Sequence, residues 1–520
     1  MSSLTVIVSI ASVFFRGFIY DGIRPPAAGE LEVVRGRVNS IRWGGGGRHM
    51  LKIGEVEIRS LTPLLLMPTF YDNHVHPLVH LSSRQYIAAP PGSRWNFREF
   101  AHWIRRRLKM GAPLVIGSLE ENMFVEGRLP TGEDMEMLGI TEPLLLVRVC
   151  GHRGYATEKA LELLSEEDTF EPWQVDRAEG RVEEDALTLL RERILLQGSL
   201  KGMNEYSEHL LSLGISHAIA MVSFEEYERF RELPPPENIR LYFVPLLKDF
   251  LTRTSGMNRE ERILHLKRLR HSSLPVVGLK YIGDGSIGAR TAHLREMYDD
   301  TATRGLDLIV EEEFMEGLEL ALRSSLTLFV HAIGDGAIEK TLRLYREFLD
   351  KKGMDPEEGR REGLLRIEHA ELLPEDLLEV LGELQVPLCM QPNFIRRWQN
   401  PGGIYEEALG PQRLRHLNPI RSLVERGIAL FFSSDSMPED PLFGIKGAAL
   451  HPTPGQSLPP STALTFYQRG PLPPLRGSYL RLSVMEGNPA SFTVVAPGGK
   501  RVVTVRGQRV YPGAEEAKVL

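Results

Sequence analysis

Eight short runs of largely consecutive apolar residues recur through the middle of the chain. They lie at Leu64–Tyr71, Ile215–Val222, Leu241–Leu246, Val276–Tyr281, Leu326–Val330, Leu364–Glu368, Val386–Met390 and Ile428–Ser433. A strand wetted on one face alternates apolar and polar residues, whereas a strand covered on both faces does not. The runs therefore read as parallel strands, and the helical patterns between them complete βα units. Ile338, Leu342, Tyr345 and Leu349 share one helical face. Asn418 and Pro419 are expected to open another helix as N-cap and first-turn proline, with Gly427 ending it. The expected fold is α/β, a (β/α)8 barrel of the TIM type.

Both ends of the chain read differently. Leu31–Val34 and Arg37–Ile41 near the start, and Ser491–Val495 and Arg501–Val505 near the end, are β-rich and bounded by turn residues. A small β-sandwich built from residues 1–66 and 475–520 would bring the two ends together. The barrel would occupy 67–474. Between its first and second strands lie too many residues for one crossover, so about 85–205 are expected to form an inserted subdomain. That insert has a strand candidate of its own, Leu144–Val149, and acidic amphipathic helices around Glu183 to Arg193.

Composition narrows the function classes. A length of 520 residues suits one large barrel with accessory modules, and a formal net charge of −7 gives no electrostatic case for nucleic acid or an anionic membrane. Two cysteines, Cys150 and Cys389, exclude a disulfide scaffold and suit a reducing cytoplasm. The apolar stretch from Thr5 to Phe15 is shorter than the roughly 20 residues a membrane span needs. No basic residue precedes it, so it reads as strand material rather than a secretory signal.

The first run leads into Asp72-Asn73-His74-Val75-His76. Residues two apart on extended backbone point the same way, so both imidazoles could grip one ion. Buried structural histidines compete with that reading. Four more polar residues sit in or just after later runs: Lys280, His331, His369 and Asp435. Each alone has a bland explanation as a satisfied loop or core residue. Together, at matching ends of separate strands, they would converge on the barrel face that carries active sites.

The motifs resemble those of the amidohydrolase superfamily, and more closely its YtcJ-like branch, amidohydrolase family 3. Met67 to His76 is similar to the family's first-strand motif, with Thr69 where glycine is usual. Lys280 to Ala292 resembles its long fourth-strand motif. His331-Ala332-Ile333-Gly334-Asp335 and Arg366-Ile367-Glu368-His369-Ala370 match the fifth and sixth, and Met390-Gln391-Pro392 and Ser434-Asp435-Ser436 the seventh and eighth. Cys150-Gly151-His152 resembles a motif of the family's inserted subdomain.

The resemblance implies a metal-dependent hydrolase acting on an amide-like C–N bond of a small molecule. His74 and His76 would bind one divalent ion with Asp435 close by, and His331 and His369 a second. Lys280 would carry a carbamate bridging the two, and one or two Zn²⁺ would suit imidazole and carboxylate ligands, with Mn²⁺, Co²⁺ or Fe²⁺ open. Asp435 would orient the metal-activated water and shuttle its proton. His152, Arg290 and Gln391 are candidates for substrate contact, although Arg290 could equally brace its loop and Gln391 could orient a neighbour. Asp284 and Asp335 are candidates for fixing imidazole tautomers. A homodimer is compatible with a barrel of this size.

The chain departs from the family at Pro489-Ala490-Ser491-Phe492, where Ala-Asp is usual, and at Gly336, where relatives often carry a side chain. Other readings stand beside the metal hydrolase. One is a thiol hydrolase using Cys150 and His152, another a single-metal enzyme with Lys280 unmodified, and a third an amidohydrolase-like binding protein without turnover. The substrate is not legible.

Overall fold

The chain passes directly from one sheet into another at Thr69. Leu65–Pro68 is a strand of a terminal sheet, and Phe70–Val75 opens a parallel set, so the single run expected at Leu64–Tyr71 is two strands. The Thr69 hydroxyl lies 2.6 Å from that of Ser216 and pins the crossing. This computed structural model describes residues 12–511 apart from 45–46, 54–55, 61–62, 83–85, 91–92, 109–113, 149–152, 166–169, 200–202, 237, 473–474, 497–500 and 506–507. Its contacts divide the chain into two units, residues 77–206 and all the rest.

In the larger unit, eight parallel strands follow one another in chain order: Phe70–Val75, Ile215–Val222, Arg240–Pro245, Gly278–Ile282, Thr327–Ala332, Leu365–His369, Leu388–Met390 and Leu430–Phe432. The first three pair continuously, as do the last five. Isolated parallel bridges at Phe243–Val276 and Leu246–Lys280 join the third strand to the fourth. Side chains complete the junction of the eighth with the first. Asp72 accepts from the backbone N–H of Ser434 at 3.0 Å, Asn73 Nδ2 donates to the Phe432 carbonyl at 3.2 Å, and the Asp435 N–H donates to the His74 carbonyl at 2.9 Å. Burial pushes the Asp72 carboxyl up to about 7, against the hydrogen bonds from Ser434.

Apolar residues on consecutive positions are buried as doubly covered strands require. Tyr71, Ile219, Met221, Val244 and Phe329 pack together. Gly278 is needed at the fourth strand because a Cβ there would meet the Phe329 ring at 2.1 Å. Helix Asp335–Lys352 buries Ile338, Leu342, Tyr345 and Leu349 and stops at Gly353, whose φ of 65° costs an L side chain strain. The helix expected from Asn418 begins later, at Ile420, and Asn418 is no N-cap. Its φ is positive and its amide donates to Gln399, so its side chain is spent outside the helix.

Both chain ends contribute to one nine-stranded sheet. Strands from Ser12–Ile19 to Leu65–Pro68 are joined there by Phe492–Val495, Arg501–Val505 and Gln508–Tyr511. Its core includes Phe15, Leu31, Val33, Leu66 and Phe492.

The smaller unit has a six-stranded sheet in which Leu114–Leu119 and Leu144–Arg148 are neighbours and run parallel. Helix Phe97–Arg105, opened by an Asn96–Glu99 capping box, packs Phe100 and Ile104 against one set of core residues. A second core holds Leu187, Leu190 and Ile194 of helix Glu184–Ser199. Among the described residues no helix is long and apolar enough to cross a membrane.

Candidate metal centre

The ends of the first, fourth, fifth, sixth and eighth strands bring polar side chains into an apolar interior. His74 is fully buried at the end of the first strand. Its Nε2 lies 3.3 Å from His76 Nε2 and 3.4 Å from Asp435 Oδ1, and His76 Nε2 lies 3.0 Å from the same oxygen. Ligating atoms of His74, His369 and Asp435 all fall within 4.8 Å of one another. The His331 ring centroid is 4.4 Å from that of His369, which is 5.1 Å from that of His74.

Backbone geometry makes this convergence possible. Alternation along an extended strand would send Glu368 and His369 to opposite sides. His369 has a φ of 71° and Ala370 a φ of 49°, so the chain leaves the extended region there and the imidazole swings back toward the interior. Asp435 and Ser436, at 52° and 58°, do the same after the eighth strand. Non-glycine residues held in this region cost on the order of 1–3 kcal/mol each and cluster at functional sites.

Three imidazoles, those of His74, His369 and His331, spend one ring nitrogen outside the centre. His74 Nδ1 lies 2.6 Å from Glu368 Oε2 and His369 Nδ1 2.8 Å from Gln391 Oε1. His331 Nε2 lies 2.9 Å from the Gly285 carbonyl. Those oxygens accept only, so the proton sits on the nitrogen facing them. The lone pairs of His74 Nε2, His369 Nε2 and His331 Nδ1 are left free.

The electrostatics agree. Burial, reinforced for His74 by the Lys280 charge and for His369 first by His331, holds both imidazoles well below their usual range. Burial and Lys280 push His331 down to about 4. Burial also lowers the Lys280 amine, against the opposing pull of Glu368 and Asp435. It would raise the Asp435 carboxyl, but His74, His76 and Lys280 outweigh it and the group ends below its ordinary value. Neutral histidines beside an ionised carboxylate are the protonation state that ligation needs.

A divalent cation fits these residues. The His74 lone pair faces a carboxylate oxygen at 3.4 Å, and two electron-rich atoms that close repel unless positive charge lies among them. Among the described residues Lys280 Nζ is buried without a hydrogen-bond partner, as an atom kept for a ligand would be.

The remaining candidates divide. Gln391 is buried against His369 and donates to Ser433 Oγ at 3.0 Å, so it orients a ring. The Arg290 guanidinium pairs with Asp300 and donates to the Gly288 carbonyl, which commits it to its own loop. Asp284 accepts from the backbone of His293, Ile333 and Gly334 and stands 3.5 Å from His331 Nε2. Asp335 accepts from the Arg295 N–H instead of an imidazole. Gly336 leaves space for His293, which a Cβ would meet at 3.0–3.2 Å. Cys150 and His152 lie outside the described residues. Sequence reasoning gave no role to Glu368 or Arg366, although two charged residues inside an otherwise apolar strand were a visible signal.

Comparisons with known proteins agree with this geometry. Residues 57–510 match the model of the amidohydrolase family. YtcJ of Bacillus subtilis strain 168, provisionally named an amidohydrolase, is 26% identical over 520 residues, covering 93% of this chain and 94% of the relative. The Arabidopsis thaliana protein LONG AFTER FAR-RED 3 is 24% identical over 404 residues, covering 71% and 66%. An uncharacterized metal-dependent hydrolase of Pyrococcus furiosus shares the fold, with a TM-score of 0.68 at 23% identity over 92% of this chain and 97% of that one. One from Pyrococcus horikoshii OT3 gives 0.65 at 22% identity, covering 94% and 98%. With its histidine and aspartate cluster and a match spanning most of its length, the chain belongs to the amidohydrolase family and is a YtcJ-like metal-dependent hydrolase.

Proposed function

We propose that the chain hydrolyses a C–N bond of a small molecule, an amide or cyclic amide, at a centre on the strand ends of a (β/α)8 barrel flanked by a β-sandwich from both chain ends. One observation carries the reading: His74 Nε2, His76 Nε2 and Asp435 Oδ1 meet at 3.0–3.4 Å although the His74 proton faces Glu368. His74, His76 and Asp435 would hold one divalent ion and His331 and His369 a second, with Zn²⁺ suited to these donors. The ion supplies Lewis acidity, which makes water acidic near neutral pH and polarises a carbonyl.

The chain's own groups do the rest. The Asp435 carboxylate takes a proton from the attacking water and passes it to the leaving nitrogen. Gln391 keeps the His369 proton on Nδ1. The Lys280 amine, lowered by burial, is suited to carbamylation: its nitrogen bonds to the carbon of CO₂ and releases a proton, leaving a carboxylate beside the imidazoles. The acidic balance and scarce cysteine support a cytoplasmic setting with a small-molecule substrate and without nucleic-acid or membrane partners.

Asp435→Asn tests the assignment against a panel of N-acyl amines, formamides and cyclic ureas. Loss of more than about 100-fold in turnover is expected, as for removal of a general base, with an unchanged far-UV spectrum. Undiminished turnover in that variant, or in chelator-stripped protein, would sink it.

A further inference from the structure

Glu368, which faces the His74 proton, is itself half of an enclosed charged pair in the parallel-strand interior, and its partner Arg366 has no part in the chemistry above. Glu368 is fully buried and Arg366 is 4% exposed, two residues apart on the sixth strand. That spacing puts both side chains on the same side of an extended backbone. Arg366 Nε donates to Glu368 Oε1 at 2.6 Å and Nη2 to Oε2 at 3.1 Å, a two-toothed pair. Nη2 also donates to the Asn73 carbonyl at 2.8 Å, the peptide that leads into His74. Phe329 lies under the guanidinium, 4.3 Å from ring centroid to Cζ. The same Oε2 accepts from His74 Nδ1 at 2.6 Å.

We propose that Glu368 and Arg366 are positioning residues for His74, setting from the sixth strand which nitrogen of the first-strand imidazole meets the cation. Glu368 does two things. It holds the His74 proton on Nδ1, so Nε2 stays a donor, and its negative charge strengthens that donation. Arg366 supplies what a buried carboxylate requires, an equal charge with matching hydrogen bonds. Its third bond reaches the backbone beside His74, so the ring is held by Glu368 and its peptide by Arg366, two halves of one pair. Lysine would not do this, because an ammonium lacks the planar fork. A plain structural ion pair would need only the two charges. The contact with His74 Nδ1 and the bond to Asn73 are what point to the ligand.

The inference rests on the metal reading, and its test separates the two. Metal-free full-length protein is titrated with Co²⁺ against a chromophoric chelator, and the visible d–d absorption of the cobalt-loaded protein is recorded. Absence of cobalt binding by the unaltered protein would remove the metal reading itself. With the unaltered protein loading normally, Glu368→Gln is expected to weaken cobalt binding about 10–100-fold and shift the d–d bands, because the amide still accepts from Nδ1 but carries no charge. Arg366→Met combined with Glu368→Gln removes both charges and spares the fold an unpaired guanidinium, and cobalt binding should stay as weak. Wild-type affinity and spectrum in either would overturn the proposal, leaving the pair a strand lock. Should neither fold, Arg366→Lys decides: it keeps both charges, and an affinity equal to that of the unaltered protein would overturn the inference.

Discussion

His369 and His451 are both buried imidazoles whose basicity is lowered mainly by burial, yet they sit in regions built to opposite ends. His451, beyond the eighth strand, spends both ring nitrogens on backbone. Its Nε2 donates to the Asn418 carbonyl at 3.0 Å and its Nδ1 accepts from the Thr453 N–H at 3.0 Å. His369 spends only Nδ1, on Gln391, and turns the other nitrogen toward His74 and Asp435. A histidine in a core with two partners is a brace. One with a single partner and a bare lone pair among others is a ligand waiting for charge.

Substitution of the two should therefore separate metal affinity from stability. The largest effect is expected from His369→Asn. Cation affinity should drop more than about 100-fold, beyond the range for outer partners, while the melting temperature of metal-free protein moves little. His451→Phe should leave cation affinity unchanged and destabilise the metal-free protein, since it leaves the Thr453 N–H without its acceptor, at about 1–3 kcal/mol, and takes one of two donors from the Asn418 carbonyl. Equal metal loss in both, read by competition with a chelator, would erase the distinction.

Next in size is Gln391→Leu. Without its acceptor, His369 Nδ1 has no fixed proton position, and affinity should fall about 10–100-fold. An unchanged affinity would mean that the tautomer needs no partner there.

The smallest effect is in pH. The folded value for His451 is about 4 against an ordinary 6.5. The unfolded chain takes up the proton first, so the contribution is complete above pH 6.5 and is lost as pH falls toward 4. The limiting slope is about 1.4 kcal/mol per pH unit. The bare histidines of the metal-free centre shift the same way, so the measurement is the difference between unaltered protein and His451→Phe in denaturant unfolding at pH 7 and pH 5. Parallel losses in the two would show that His451 titrates normally.

Much of this was legible because burial on both faces writes a strand into sequence as an unbroken apolar run. Ile215–Val222 could be read to the residue. The break at Thr69 could not, because both halves of that run are equally apolar and only the partner strands differ. At the centre, His74, His331, His369 and Asp435 stood out as polar residues ending such runs. Their supports did not. Whether Arg290 faces a substrate or Asp300, and whether Glu368 faces water or His74, depends on chain hundreds of residues away or on a loop's return path. The left-handed turns at His369 and Asp435 carry no glycine to announce them.

The crossing at Thr69 has a mechanical side. Pro68 lies in the sheet made by both chain ends, and His74 stands six positions later on a strand with no slack between. A distortion of that sheet has only six residues of extended chain to cross before it reaches the imidazole. Rearranging the outer strands, by circular permutation or by splitting the chain, would then blunt cation capture before it unravelled anything.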